Sequence, residues 1–219
     1  MINVDEEWDG SKGEWGMRVV VQDGRMASVL AYMTQGDLSS AQRLLKSSLR
    51  MLMAKVENPY AAAAGGYVLI FSKSEDIDEH EWPSWIRNLA TWYPSSPDAQ
   101  ILLATLCLQR RRLLHRANLS LGNDDRQRFR LARRLLERAL RAGLPMYSLG
   151  MRLLIENLEI LFEEELAMGL RAEADDLRLP ETLRHVRTVS SCMKSVQPMT
   201  VLNFSDLQRS LRPRHRAND

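Results

Sequence analysis

A chain of 219 residues that is 45% hydrophobic and 26% charged has the composition of a folded globular protein, which excludes the disordered and low-complexity classes. No run reaches the ~18 consecutive apolar residues a membrane-spanning helix needs. A formal net charge of +2 and only two cysteines, Cys107 and Cys192, suggest neither a disulfide framework nor a zinc site.

In chain order, the opening stretch MINVDEEWDGSKGEW is acidic and polar, the opposite of a secretory leader, so a cytoplasmic protein is expected. Residues 1–16 read as an acidic tail, 17–200 as one helical domain and 201–219 as a basic tail carrying Arg209, Arg212, Arg214 and Arg216. MRVVVQ, from Met17 to Gln22, is the best strand, or equally the first turns of a helix. Beyond it, helix-period apolar spacing dominates: Leu38, Ala41, Leu44/Leu45, Leu49 and Leu52 share one face, and Leu149, Leu153/Leu154, Leu158 and Leu161 another. Pro59, Pro97 and Pro145 each stand just ahead of an apolar helical run, where proline is tolerated. Helices are predicted over 24–35, 38–56, 59–72, 82–93, 98–118, 125–142, 146–170 and 181–195. The expected fold class is all-α.

The uncharged run AAAAGGYVLI, from Ala61 to Ile70, is too short to span a bilayer, and GxxxxGK does not follow its glycines. Glycine inside a helix costs ~1 kcal/mol against alanine. Gly65 and Gly66 therefore predict a close approach by a neighbouring helix.

YMTQGDLSSAQRLLKSSL, from Tyr32 to Leu49, resembles the middle of a tetratricopeptide repeat. There an aromatic ends one helix, Gly-Asp turns, and a small residue opens the next helix's inner face, here Tyr32, Gly36-Asp37 and Ala41. Tyr60/Ala63/Ala64/Tyr67, Gln100/Leu103/Ala104/Cys107 and Met146/Leu149/Gly150/Leu153 follow the family's first-helix spacing with altered residues. The resemblance covers roughly residues 25–170, with steps that lengthen beyond the family's ~34-residue period. It implies a stack of antiparallel helical hairpins. An irregular helical bundle is the alternative. A fainter likeness runs through Asn58-Pro59-Tyr60-Ala61-Ala62, Gly66-Tyr67, Asn88-Leu89, Trp92, Pro94, Pro97-Asp98, Gly143-Leu144-Pro145 and Tyr147-Ser148. It is similar to helical regions beside bacterial caspase-like or trypsin-like peptidase domains, and implies a protein working alongside a peptidase.

No catalytic constellation stands out, and no metal or cofactor is expected. His80, His115, His185 and His215 are scattered. His80 lies among Asp76, Asp78, Glu79 and Glu81, which reads as a solvated acidic loop rather than a closed metal shell. His185 and Cys192 fall two helical turns apart, out of range for a nucleophile and its base.

Charge distribution says more than net charge. Eleven arginines against Asp124, Asp125 and Glu137 lie between Leu108 and Ala142, a local excess of +8. Arg130, Arg134, Arg138 and Arg141 share one stripe, while 146–170 supplies Glu156, Glu159, Glu163, Glu164 and Glu165 as internal counter-charges. The residue types point to a non-catalytic adaptor or regulator that binds another protein, a peptidase or an acidic segment, through Tyr67, Trp85, Trp92, Arg110, Arg134 and Arg138. The alternative is a nucleic-acid-associated factor using the arginines of 110–141. That segment offers Phe129 as its only aromatic for base stacking.

Overall fold

The computed structural model describes residues 2–9, 14–21, 28–31, 42–71, 81–119, 125–167, 178–193, 197–203 and 206. The turn Gly36-Asp37, the acidic cluster before Glu81 and most of the C-terminal tail lie outside the described residues, as does the predicted helix 24–35 except for one helical turn at 28–31.

The body is all-α. Its helices are α1 (Gln42–Met53), α2 (Pro59–Phe71), α3 (Trp82–Trp92), α4 (Pro97–Gln109), α5 (Asp125–Ala142), α6 (Ser148–Ala167) and α7 (Leu179–Ser191). Before them, β1 (Ile2–Asp9) and β2 (Glu14–Val21) pair antiparallel, from Ile2 opposite Val21 to Trp8 opposite Trp15. This corrects the expected acidic tail over 1–16. Ile2, Val4 and Trp8 recur at even spacing and meet Val21, Val19 and Trp15, so period-two alternation prevails over the acidic composition. The MRVVVQ strand is part of that hairpin.

Local chemistry starts and stops the helices. Asn58 accepts the Ala61 amide on its side chain at 2.9 Å and Pro59 follows as the first helical residue. Ser96 does the same for Ala99 at 3.4 Å, with Pro97 next. Gly143, at φ 119°, closes α5 and donates its amide to Ala139 O at 3.1 Å.

α2 and α4 form the inner row. Ala61 to Ile70 and Asp98 to Cys107 are buried on every side, which is why neither shows an amphipathic stripe. α1 and α5, with one apolar face each, pack outside them. The main contacts join each helix to the next one or two along the chain: α1 with α2 and α3, α4 with α2, α3, α5 and α6, α6 with α5 and α7.

Two predicted boundaries need correcting. The helix expected over 98–118 stops at Gln109; a 3₁₀ turn, Arg111–Leu113, follows, and Asn118 sits at φ 51°. The Arg110 guanidinium bonds the Ile70 carbonyl, and the turned chain buries Leu113, Leu114 and Ala117. Residues 201–203, expected to open the basic tail, are packed instead. Val201 is buried, Thr200 N donates to Met146 O at 2.8 Å, and Asn203 N donates to Cys192 O at 2.8 Å, clamping this segment across the starts of α6 and the end of α7.

The two glycines of α2 answer to different neighbours. A Cβ on Gly65 would lie 2.6 Å from the Ser48 carbonyl oxygen of α1 and 3.2 Å from Met51 Cβ. A Cβ on Gly66 would meet Leu102 Cδ1 of α4 at 2.9 Å. The first neighbour is backbone; the second is the free end of a flexible side chain. Gly65→Ala should therefore destabilise the protein by about 1–3 kcal/mol through overpacking. Gly66→Ala, recovering ~1 kcal/mol of helix propensity, should stay close to wild type. Thermal unfolding of both variants checks this; equal melting temperatures would remove the backbone-contact explanation for Gly65.

Candidate functional site

The most concentrated buried chemistry is a polar joint built from three separate stretches: GGY at the middle of α2, SPD at the start of α4, and GLPMYSLG ahead of α6. Asp98 is only 3% exposed. Its Oδ1 accepts the Tyr67 hydroxyl at 2.7 Å and the Tyr147 amide at 3.4 Å; its Oδ2 accepts the Met146 amide at 2.7 Å. The Tyr147 hydroxyl donates to Tyr60 O at 2.8 Å, and the two tyrosine rings meet edge to face at 5.8 Å. Gly150 is required here, because a Cβ would overlap both Tyr67 Oη and Asp98 Oδ1.

Burial pushes the Asp98 carboxyl up to about 6, and the hydrogen bonds from Tyr67, Met146 and Tyr147 partly offset that rise. Both tyrosine hydroxyls are pushed up, first by burial and then by the adjoining carboxylate. Tyr67 and Tyr147 are fully buried around the carboxyl group, and the joint fastens α2, α4 and the start of α6 together. A smaller network behind it links Gln109 Nε2 to Asn157 Oδ1 at 3.0 Å and Asn157 Nδ2 to Thr105 Oγ1 at 2.8 Å, fastening α4 to α6.

Cys107 is buried and its thiol is pushed up to about 12 by that burial, with Arg128 partly offsetting it. Such a thiol is not a nucleophile at neutral pH. Cys192 is buried while His185 is exposed. Among the described residues no group of His, Cys, Asp or Glu is arranged to hold a metal ion, and no helix is long and apolar enough to cross a membrane.

The outer surface separates the arginines into two sets. Arg133 is mostly buried, bonds Glu137 at 3.3 Å on its own helix and pairs with Glu165 across on α6. Asp125 is shared by Arg128 at 3.1 Å and Arg111 at 3.3 Å, while Glu159 takes Arg187 at 2.6 Å. Arg130, Arg134 and Arg138 belong to the other set. They are exposed along one edge of α5, opposite the buried Phe129, Ala132, Leu136 and Ala139, and carry no ion pair among the described residues. The acids expected to neutralise this stripe are partly engaged elsewhere.

Of the residues singled out from sequence, Arg134, Arg138 and Trp92 are exposed, and Trp85 is half-buried against the core. Arg110 is half-buried and committed to the Ile70 carbonyl. Tyr67 is corrected: it is wholly buried on Asp98, with no surface left to present. The expectation rested on residue type, and an aromatic in an alanine-rich helix reads the same whether it faces a groove or a carboxylate. Sequence reading passed over Met53 and Val56, exposed apolar residues on either side of Lys55, which lies against Trp92. It also passed over open grooves beside α7, the larger one, about 750 Å³, lined by Phe162, Leu183, Arg184 and Arg187. Met53 carries a faint signal, since it follows Leu52 directly and so leaves the apolar stripe of α1.

The pH dependence of stability follows from the joint. With its folded pKa raised above the unfolded value, Asp98 contributes stability that is complete below about pH 4 and is lost as pH rises through about 6. The two-unit rise corresponds to roughly 3 kcal/mol at most. Asp98→Asn should flatten this segment of the stability–pH curve. It should also cost about 1–3 kcal/mol above pH 6, where the ionised carboxylate accepts all three donors and an amide N–H₂ set against the Met146 amide would leave a buried donor unmatched. Urea unfolding across pH 4–7 measures both; an unchanged slope would mean that Asp98 does not titrate in this window.

Among known proteins, the model of the Y4kD C-terminal domain family matches residues 28–207, which takes in α1 to α7 and leaves the β-hairpin outside. No curated protein and no solved structure gives a significant match.

Proposed function

Because the chain belongs to the Y4kD C-terminal domain family and its Asp98 cluster lies buried inside the fold, we propose that it is a non-catalytic protein-binding adaptor or regulator working in the bacterial cytoplasm. The observation that carries the reading is the α5 stripe. Arg130, Arg134 and Arg138 stand exposed and unpaired among the described residues, while Arg128, Arg133 and Arg187 nearby are each engaged by a carboxylate. Three guanidinium groups at successive helical turns match an acidic protein segment, since each forms bidentate pairs with carboxylates.

The order of packing, each helix against the next one or two, supports a tetratricopeptide-like stack as the frame for this surface. Of the residues that carry the second resemblance, Tyr67, Asp98 and Tyr147 converge on the buried joint. That convergence supports a shared architecture with helical modules beside caspase-like or trypsin-like peptidases, so a peptidase or its substrate is the partner class to look for. Recognition runs by shape and charge, with no cofactor.

The test is capture from the native host followed by mass spectrometry, with wild type compared to Arg130→Glu/Arg134→Glu/Arg138→Glu. A partner with an acidic segment should be retained by the wild type and weakened about tenfold or more in the variant, chiefly in the rate of association. Nucleic acid captured in its place, with affinity falling steeply as salt is added, would move the assignment to a phosphate-binding factor.

A further inference from the structure

Trp92 ends α3 with 53% of its surface exposed, and the Lys55 ammonium lies 5.1 Å from its ring centroid. Lys55 follows α1 in a short turn whose neighbours Met53 and Val56 are 60% and 69% exposed. The Tyr93 hydroxyl reaches the Val56 carbonyl at 3.5 Å, so the end of α3 and the turn after α1 form one continuous surface. Exposed apolar residues scattered singly need no explanation, but a tryptophan, a methionine and a valine gathered at one junction do. The edge of that junction is cationic. Lys46 and Arg50, four residues apart, share the exposed face of α1 that leads to Met53, and neither carries an ion pair among the described residues. Glu57 is the exposed carboxylate described on α1 and its following turn, and the end of α3 brings none.

We propose that this junction docks a peptide segment of a partner protein that presents an apolar side chain next to carboxylates. The apolar group packs on Trp92, Met53 and Val56, and the carboxylates face Lys46 and Arg50. The Lys55 ammonium lies over the indole, and its burial lowers the pKa of that lysine. Charge decides against a second copy of the chain, because a two-fold contact centred on Trp92 would bring two sets of cations together. The assignment rests on the adaptor reading and deepens it: it names a second contact, separate from the α5 stripe, and the chemistry it selects.

A random linear peptide library displayed on phage and selected on the full chain tests it. The enriched peptides are then titrated against wild type, Trp92→Ala, Lys46→Glu/Arg50→Glu and the triple α5 arginine variant, each checked for unchanged circular dichroism. The expected set combines an apolar residue with neighbouring Asp or Glu. It should lose about tenfold or more in affinity on Trp92→Ala and on Lys46→Glu/Arg50→Glu, and little on the α5 variant. Peptides that depend on the α5 arginines alone would overturn this junction and leave the adaptor reading standing. Enrichment without acidic residues, or no enrichment at all, would also overturn it. So would a dimer seen by sedimentation that Trp92→Ala dissolves.

Discussion

A single buried carboxyl group organises the helical body. Asp98 stands at the second residue of α4 and draws in a hydroxyl from α2 and two amides from the connection between α5 and α6. Its position at a helix N-terminus suits a negative charge, and the donors replace the water it loses. The geometry allows little slack. Tyr67, Tyr147 and Gly150 fill the space around it so tightly that no side chain fits on Gly150. Tyr67 and Gly150 therefore do more than let two helices approach. They hold three stretches that are far apart in sequence onto one carboxylate.

Around that joint the helices are ordered by how much of their circumference is apolar. α2 and α4 have no polar face to show to water and occupy the centre, where α2 presents alanine and glycine to α1 on one side and α4 on the other. Each helix in the outer row offers one stripe to this pair and its opposite edge to solvent. Because small residues face the contacts, backbones come close and shape, more than side-chain bulk, sets the spacing of the stack. The β-hairpin lies outside the matched family region.

Function on this view is a property of what the core leaves outside. The same arginine-rich helix contributes Arg133 to a mostly buried pair with Glu165 and leaves Arg134 in solvent, one position and about 100° of helix away. An exposed ion pair contributes little to stability, so leaving Arg130, Arg134 and Arg138 unpaired among the described residues costs the fold little and keeps their charge facing solvent. Trp92 follows a similar logic: the helix that ends there buries Trp82 completely and exposes its last aromatic beside a lysine.

Sequence alone determined the all-α class, six of the helices to within a few residues, and the starts at Asn58-Pro59 and Ser96-Pro97, because periodicity and capping are local and need no partner. It also marked Gly65 as a close-approach point, since a mid-helix glycine has a propensity cost that packing must answer. Alternation in the first 21 residues was equally local, yet its acidic residues drew attention away from a hairpin. What only the tertiary structure decided is which neighbour each residue meets. Tyr67 became a hydrogen-bond donor to Asp98, the helix after Gln109 turned to bury Leu113 and Leu114, and the glutamates of α6 chose some arginines over others. These choices depend on distances between stretches tens of residues apart, and no spacing within one helix encodes them.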